Sequence, residues 1–145
     1  MDAVPSFIEV LVVPALIEAL KDEHWYVRGR SAWALAKIGP TATNAYPALV
    51  AALSDEHWMV RAGAACALGT VAGDASHRAM AALIAALRDK DHNVRANAAW
   101  ALGQVARAAE ASGQGSAVKE ALREALKDED ATVREEAKQA LEKGF

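Results

Sequence analysis

The sequence predicts an all-α chain, an α-solenoid of four antiparallel helix hairpins stacked as a right-handed superhelix in a single domain over residues 1–145. Three observations carry that expectation. One segment occurs four times, apolar residues within each copy fall at helical spacing, and β-branched and aromatic residues are too few beside abundant alanine for a sheet.

The repeat is read directly. PALIEALKDEHWYVRGRSAWALAKIG recurs as PALVAALSDEHWMVRAGAACALGTVA, as AALIAALRDKDHNVRANAAWALGQVA and as EALREALKDEDATVREEAKQALEKG. Val27, Val60, Val94 and Val133 hold one register position, 33, 34 and 39 residues apart. Seven residues before each valine stands Leu20, Leu53, Leu87 or Leu126, and eight after it Leu35, Leu68, Leu102 or Leu141. The copies occupy about residues 5–44, 45–77, 78–115 and 116–145, the last as a C-terminal cap.

Each copy resolves into two helices. Leu16, Ile17 and Leu20, then Leu49, Val50 and Leu53, then Leu83, Ile84 and Leu87, put an apolar stripe on a first helix. A short polar turn follows, and Val27, Ala34 and Leu35 give the second helix its own stripe. Neither stripe is buried by one hairpin, so stability comes from stacking. Ala32, Ala65 and Ala99 permit close approach between neighbours, whereas the fourth copy has Lys138 there, with Arg123, Glu135, Glu136 and Lys143 making a solvated face. The extra length from Arg107 to Ser116 predicts an overlong helix followed by a flexible Ser-Gly-Gln-Gly turn. At the other end, Phe7, Ile8, Val10, Leu11, Val12 and Val13 exceed what one neighbour covers, which predicts an exposed patch or a homodimer contact through the N-terminal helix.

The Ala-Leu-x-Asp turn, the following Val-Arg, the paired alanines and the Ala-Leu-Gly resemble the HEAT-like repeats of the phycobilisome-lyase type and the artificial repeat proteins derived from them. The resemblance covers nearly the whole chain. It implies a stacked ladder of hydrogen-bonded charges from Asp22, Asp55, Asp89 and Asp128 with Arg28, Arg61, Arg95 and Arg134. It also implies that second helices line a concave face, with freely varied positions on either side of each register valine. Those positions hold Trp25, Tyr26, Arg30, Trp33 and Lys37 in the first copy, Trp58, Met59 and Cys66 in the second, and His92, Asn93, Asn97, Trp100 and Gln104 in the third. All four tryptophans fall in this set, and Gly29, Ala62, Gly63 and Ala96 between them would leave a trough with aromatic walls. The alternative is that Trp33 and Trp100 only fill space between small neighbours. His24 and His57 stand where the family pattern has an N-capping aspartate, kept here at Asp91 and Asp130; a surface role is expected for both, with metal binding the weaker reading.

The chemistry expected from the rest is sparse. A net charge of -3 and a pI near 5.8 argue against nucleic acid and anionic membranes, and the lone Cys66 against a disulfide. Asp2, Glu9 and Glu18 with Pro5 and Pro14 exclude a signal peptide or membrane span at the start. No Ser/His/Asp set or phosphate loop accompanies Cys66. The expectation is a cytoplasmic, non-enzymatic module without cofactor that binds a protein or peptide. A carrier or lyase-like subunit for a flat apolar small molecule of tetrapyrrole type is the second reading, and a designed or structural scaffold without natural ligand the third.

Overall fold

A computed structural model describes residues 4–71 and 76–145. Among them every regular element is helical. The first helix opens at Ser6, whose N–H donates to Glu9 Oε2 at 3.0 Å while Glu9 N–H donates to Ser6 Oγ at 3.2 Å, a reciprocal capping box. A π-helical stretch, Ile8–Val12, runs without a break into α1, Val13–Ala19. Then come α2 (Trp25–Ile38), a 3-10 segment Gly39–Ala45, α3 (Tyr46–Ala52), α4 (Trp58–Thr70), a 3-10 turn Ser76–Arg78 and α5 (Met80–Ala86). The chain continues through α6 (His92–Gln104), α7 (Ala106–Ala111), α8 (Gly115–Ala125) and α9 (Ala131–Gly144).

Two layers result, and the chain is an α-solenoid. The second helices α2, α4, α6 and α9 pack on one another in order, and α1, α3, α5 and α8 each pack on their own second helix. Leu35, Leu68 and Leu102, with Val60, Val94 and Val133, are fully buried between the layers. Ala32, Ala65 and Ala99 are buried where second helices touch, while Lys138 at that register is exposed. Glycine brings the backbones closer still. A Cβ on Gly69 would lie 2.9 Å from Ala101 Cα, and one on Gly103 2.9 Å from Ala140 Cβ.

Register position alone does not decide burial. Val27 is 36% exposed although its three equivalents are fully buried, because among the described residues no hairpin stacks on its outer side. The N-terminal apolar residues form the expected exposed patch, with Phe7 70% and Leu11 56% exposed, whereas Val13 is buried.

The extension after α6 differs from the expected overlong helix. Val105, at φ -96° and ψ 8°, leaves helical geometry, so α6 stops and α7 forms separately. Ala106 and Ala109 bury α7 on one side. Gly113, at φ +80°, then closes it, with Gln114 N–H donating to Ala109 O at 2.8 Å in a Schellman arrangement. The segment is a docked helix with a defined turn.

Candidate functional site

The turns set the frame of the second-helix face. Arg28 donates from Nε and Nη2 to Asp55 at 2.8 and 3.1 Å, Arg61 to Asp89 at 2.8 and 3.0 Å, and Arg95 to Asp128 at 2.9 and 3.1 Å. Each is a bidentate fork on a carboxylate. Nη1 also reaches back, from Arg28 to the carbonyls of Asp22 and Glu23 and from Arg61 to those of Asp55 and Glu56. The charges therefore pair between copies and not within one. Asp22 caps the His24 N–H at 2.8 Å and takes no guanidinium among the described residues, and Arg134 bonds only the carbonyls of Asp128 and Glu129. The implied ladder of four Asp-Arg sets has three side-chain rungs and two open ends.

Burial alone pushes the Asp55, Asp89 and Asp128 carboxyls up, but the hydrogen bonds from Arg28, Arg61 and Arg95, helped by a backbone N–H two residues on, outweigh it and hold all three below their ordinary value. The hydrogen bonds to those carboxylates push the three arginines the other way.

An aromatic strip lies beside this edge, where α2 and α4 begin. Trp25 and Trp58 are the first residues of their helices and are 43% and 42% exposed, and Tyr26 is 57% exposed. The Trp25 ring stacks on His57 at 3.9 Å between centroids with planes 4° apart. Tyr26 meets Trp25 edge-on at 5.7 Å, and His57 faces Trp58 at 5.9 Å. The histidine thus belongs to the strip. His57 Nδ1 accepts the Met59 N–H at 3.2 Å and caps α4, whereas His24 makes no side-chain cap on α2 and lies 3.6 Å from Glu23. No group of three metal-ligating side chains comes together among the described residues.

Deeper on the face, the expected trough is filled. Met59 lies over Gly29, with Cγ 3.2 Å from where a Cβ would stand, and the Trp33 indole edge lies 3.1 Å from that point on Gly63. Trp100 packs over Gly69 in the same way, at 2.9 Å. Ala62 and Ala96 are buried between helices. Gly29, Gly63 and Gly69 each accommodate a large side chain from an adjacent hairpin, so Trp33 and Trp100 serve packing and surface together.

Two clefts remain on this face. Arg30, Trp33, Ala34, Lys37 and Met59 line one of about 340 Å³ between α2 and α4. Trp100 and Gln104 line a smaller one, about 80 Å³, with Glu136, Gln139 and Lys143 of α9. The fourth copy thus contributes side chains to the face, which its capping composition obscured. Cys66 is half-buried on α4, and burial pushes its thiol up. Asn97 Nδ2 donates to the Asn93 carbonyl at 2.8 Å, and Asn93 N–H to the capping Asp91. His92 faces a separate cleft with Lys90, Arg95, Glu129 and Asp130. The sequence reading missed a cleft of about 370 Å³ in the first-helix layer, lined by Ile84, Leu87, Arg88, Glu120, Ala121 and Glu124. No register rule marked it, since it forms between stripe residues of the third copy and off-stripe residues of the fourth.

Comparison with known proteins agrees with this architecture. A family model described as HEAT repeats matches residues 13–77 and again residues 46–142. An engineered protein of known structure is 26% identical with a TM-score of 0.73, covering 90% of this chain and 61% of its own, so the chain spans about three fifths of that protein. A designed armadillo repeat protein in complex with the peptide (KR)4 aligns at a TM-score of 0.74 and 23% identity, over 95% of this chain and 66% of its own. The complex of CpcE and CpcF of phycocyanin lyase from Nostoc sp. PCC7120 aligns at a TM-score of 0.68 and 24% identity, over 91% of this chain and 77% of its own. No curated protein matches the sequence. No helix among the described residues is long and apolar enough to cross a membrane.

Proposed function

Because the chain belongs to the HEAT repeat family, we propose that it is a protein- or peptide-binding module that engages its partner through the second-helix face and acts without catalysis. The observation that carries this reading is the exposure of Trp25, Tyr26 and Trp58 on the opening turns of α2 and α4, beside the cleft of Arg30, Trp33, Lys37 and Met59. Three large aromatics left in water on a rigid stack are costly for solubility and are typical anchors at interfaces. The fold supports the reading, since it holds the peptide (KR)4 in the designed armadillo protein and joins two subunits in the lyase complex. Trp33, Met59 and Trp100 provide apolar contact, and Arg30, Lys37 and Asn97 provide polar contact. We place the module in the cytoplasm.

The test compares proteins captured by the wild-type chain with those captured by a Trp25→Ala/Trp58→Ala variant of the same helicity. A partner retained by the first and lost by the second supports the proposal. Identical capture by both would remove the aromatic strip from it. A flat apolar ligand is the second reading, favoured by the exposure of Trp25 and Trp58. Saturable quenching of tryptophan fluorescence by haem or a bilin, absent in a Trp25→Ala/Trp58→Ala variant, would support it.

A further inference from the structure

Charge is distributed unevenly over this molecule. Acidic residues outnumber Lys and Arg by 19 to 16, yet α2, α4 and α6 contain no Asp or Glu. The buried arginines of those helices, Arg28, Arg61 and Arg95, are neutralised by the carboxylates of the turns. Arg30 and Lys37 are not. Both are exposed, and neither has a hydrogen bond or ion pair among the described residues. A net-negative chain thus leaves two unpaired cations on a carboxylate-free stretch, on either side of Trp33 in one cleft.

The spacing narrows the occupant. Seven positions on a helix separate the two cations by roughly 10 Å along the axis, with Trp33 between them. An extended chain advances about 3.3 Å per residue, so carboxylates three residues apart reach both cations while an intervening side chain lies over the indole. Proteins that hold nucleic acid by its backbone neutralise several phosphates, more than two free cations provide. The second cleft carries Glu136 beside Lys143, so it does not discriminate by charge in the same way. On the reading that this face binds a peptide, we infer that the α2–α4 cleft selects an acidic segment. An apolar side chain seats between Trp33 and Met59, and flanking Asp or Glu residues pair with Arg30 and Lys37.

The test pans a random twelve-residue peptide library, displayed on phage, against the intact chain and against an Arg30→Glu/Lys37→Glu variant. Arg30→Gln/Lys37→Gln replaces that variant if its circular dichroism or melting midpoint departs from wild type. The expected result is enrichment of Asp or Glu on both sides of an apolar residue. A synthetic peptide from that selection should bind the charge-reversed variant about tenfold more weakly, as two exposed ion pairs become repulsions, and should weaken with added salt. Selected peptides without acidic enrichment, or bound equally by the variant, overturn the charge inference and leave peptide binding standing. If no peptide is enriched over the bare support without the protein, the peptide reading falls and the inference with it. Tighter binding of a poly-dT oligonucleotide than of every selected peptide would also overturn it.

Discussion

Replacing Arg61 by alanine tests whether the turn ladder holds the solenoid together. The Arg61 side chain is 7% exposed and that of Asp89 13%. Its loss leaves the Asp89 carboxylate with the Asp91 N–H at 2.9 Å as its remaining hydrogen bond, and removes the donor from the carbonyls of Asp55 and Glu56. Removing one partner of a buried pair costs about 3–5 kcal/mol. Asp89 keeps some water and one N–H, so the low end, about 3 kcal/mol, applies. Arg134 makes the same kind of carbonyl bonds from an exposed position without a carboxylate, and its removal should cost under about 1 kcal/mol. The difference, roughly 2 kcal/mol, belongs to the rung. Urea denaturation followed by circular dichroism at neutral pH measures both variants. Acid supplies a second reading, because without Arg61 burial pushes the Asp89 carboxyl up, so wild type and variant should converge as pH falls. An Arg61→Ala cost no larger than that of Arg134→Ala would refute the reasoning, as would a gap that widens in acid.

Other perturbations are as direct. Asp55, Asp89 and Asp128 lie below their ordinary value of 3.8 when folded, so their stabilisation is complete above that value and is lost as pH falls through the folded values beneath it. The urea midpoint of the wild type should therefore fall steeply only in strong acid, and a decline starting near neutrality would contradict this. Gly29→Ala and Gly69→Ala should act in opposite directions in thermal melts. A Cβ at Gly29 meets the flexible Met59 chain at 3.2 Å, so the helical gain of roughly 0.5–1 kcal/mol survives. At Gly69 it meets the Ala101 backbone at 2.9 Å, and overpacking of about 1–3 kcal/mol prevails. His24→Asp should supply the cap that α2 lacks and stabilise the chain by about 1 kcal/mol. His57→Asp should gain less, since His57 already caps α4 and stacks on Trp25.

The solenoid was legible because its register is set by periodicity: Val60, Val94 and Val133 sit at one position and are equally buried. Legibility failed where burial depends on which neighbour is present, as at Val27. It failed also where a backbone torsion intervenes, as at Val105, whose neighbours are good helix formers on both sides. The face was half legible. A register rule brings Arg30, Trp33, Lys37 and Met59 into one cleft, but it cannot say that the Met59 side chain fills the space over Gly29. Histidine at an N-cap read as a departure from pattern, and its ring contact with Trp25 emerges only when two hairpins are stacked at their actual spacing. Glu136 and Lys143 read as solvated cap residues, yet both line the cleft that Trp100 borders.

The one-copy offset of the ladder, Arg28 to Asp55 and Arg61 to Asp89, bears on how such a chain can change length. Each hairpin presents an acceptor on one side and a donor on the other. Excising the second copy would bring Arg28 opposite Asp89, and inserting another would add one carboxylate and one guanidinium in the correct order. The number of unmatched ends stays at one Asp and one Arg whatever the number of hairpins. Duplication or deletion of a whole unit is thereby electrostatically neutral at the edge, and so is added length between rungs, since Arg95 reaches Asp128 across five more residues than separate Arg61 from Asp89. Length is free to drift while the order of donor and acceptor is held.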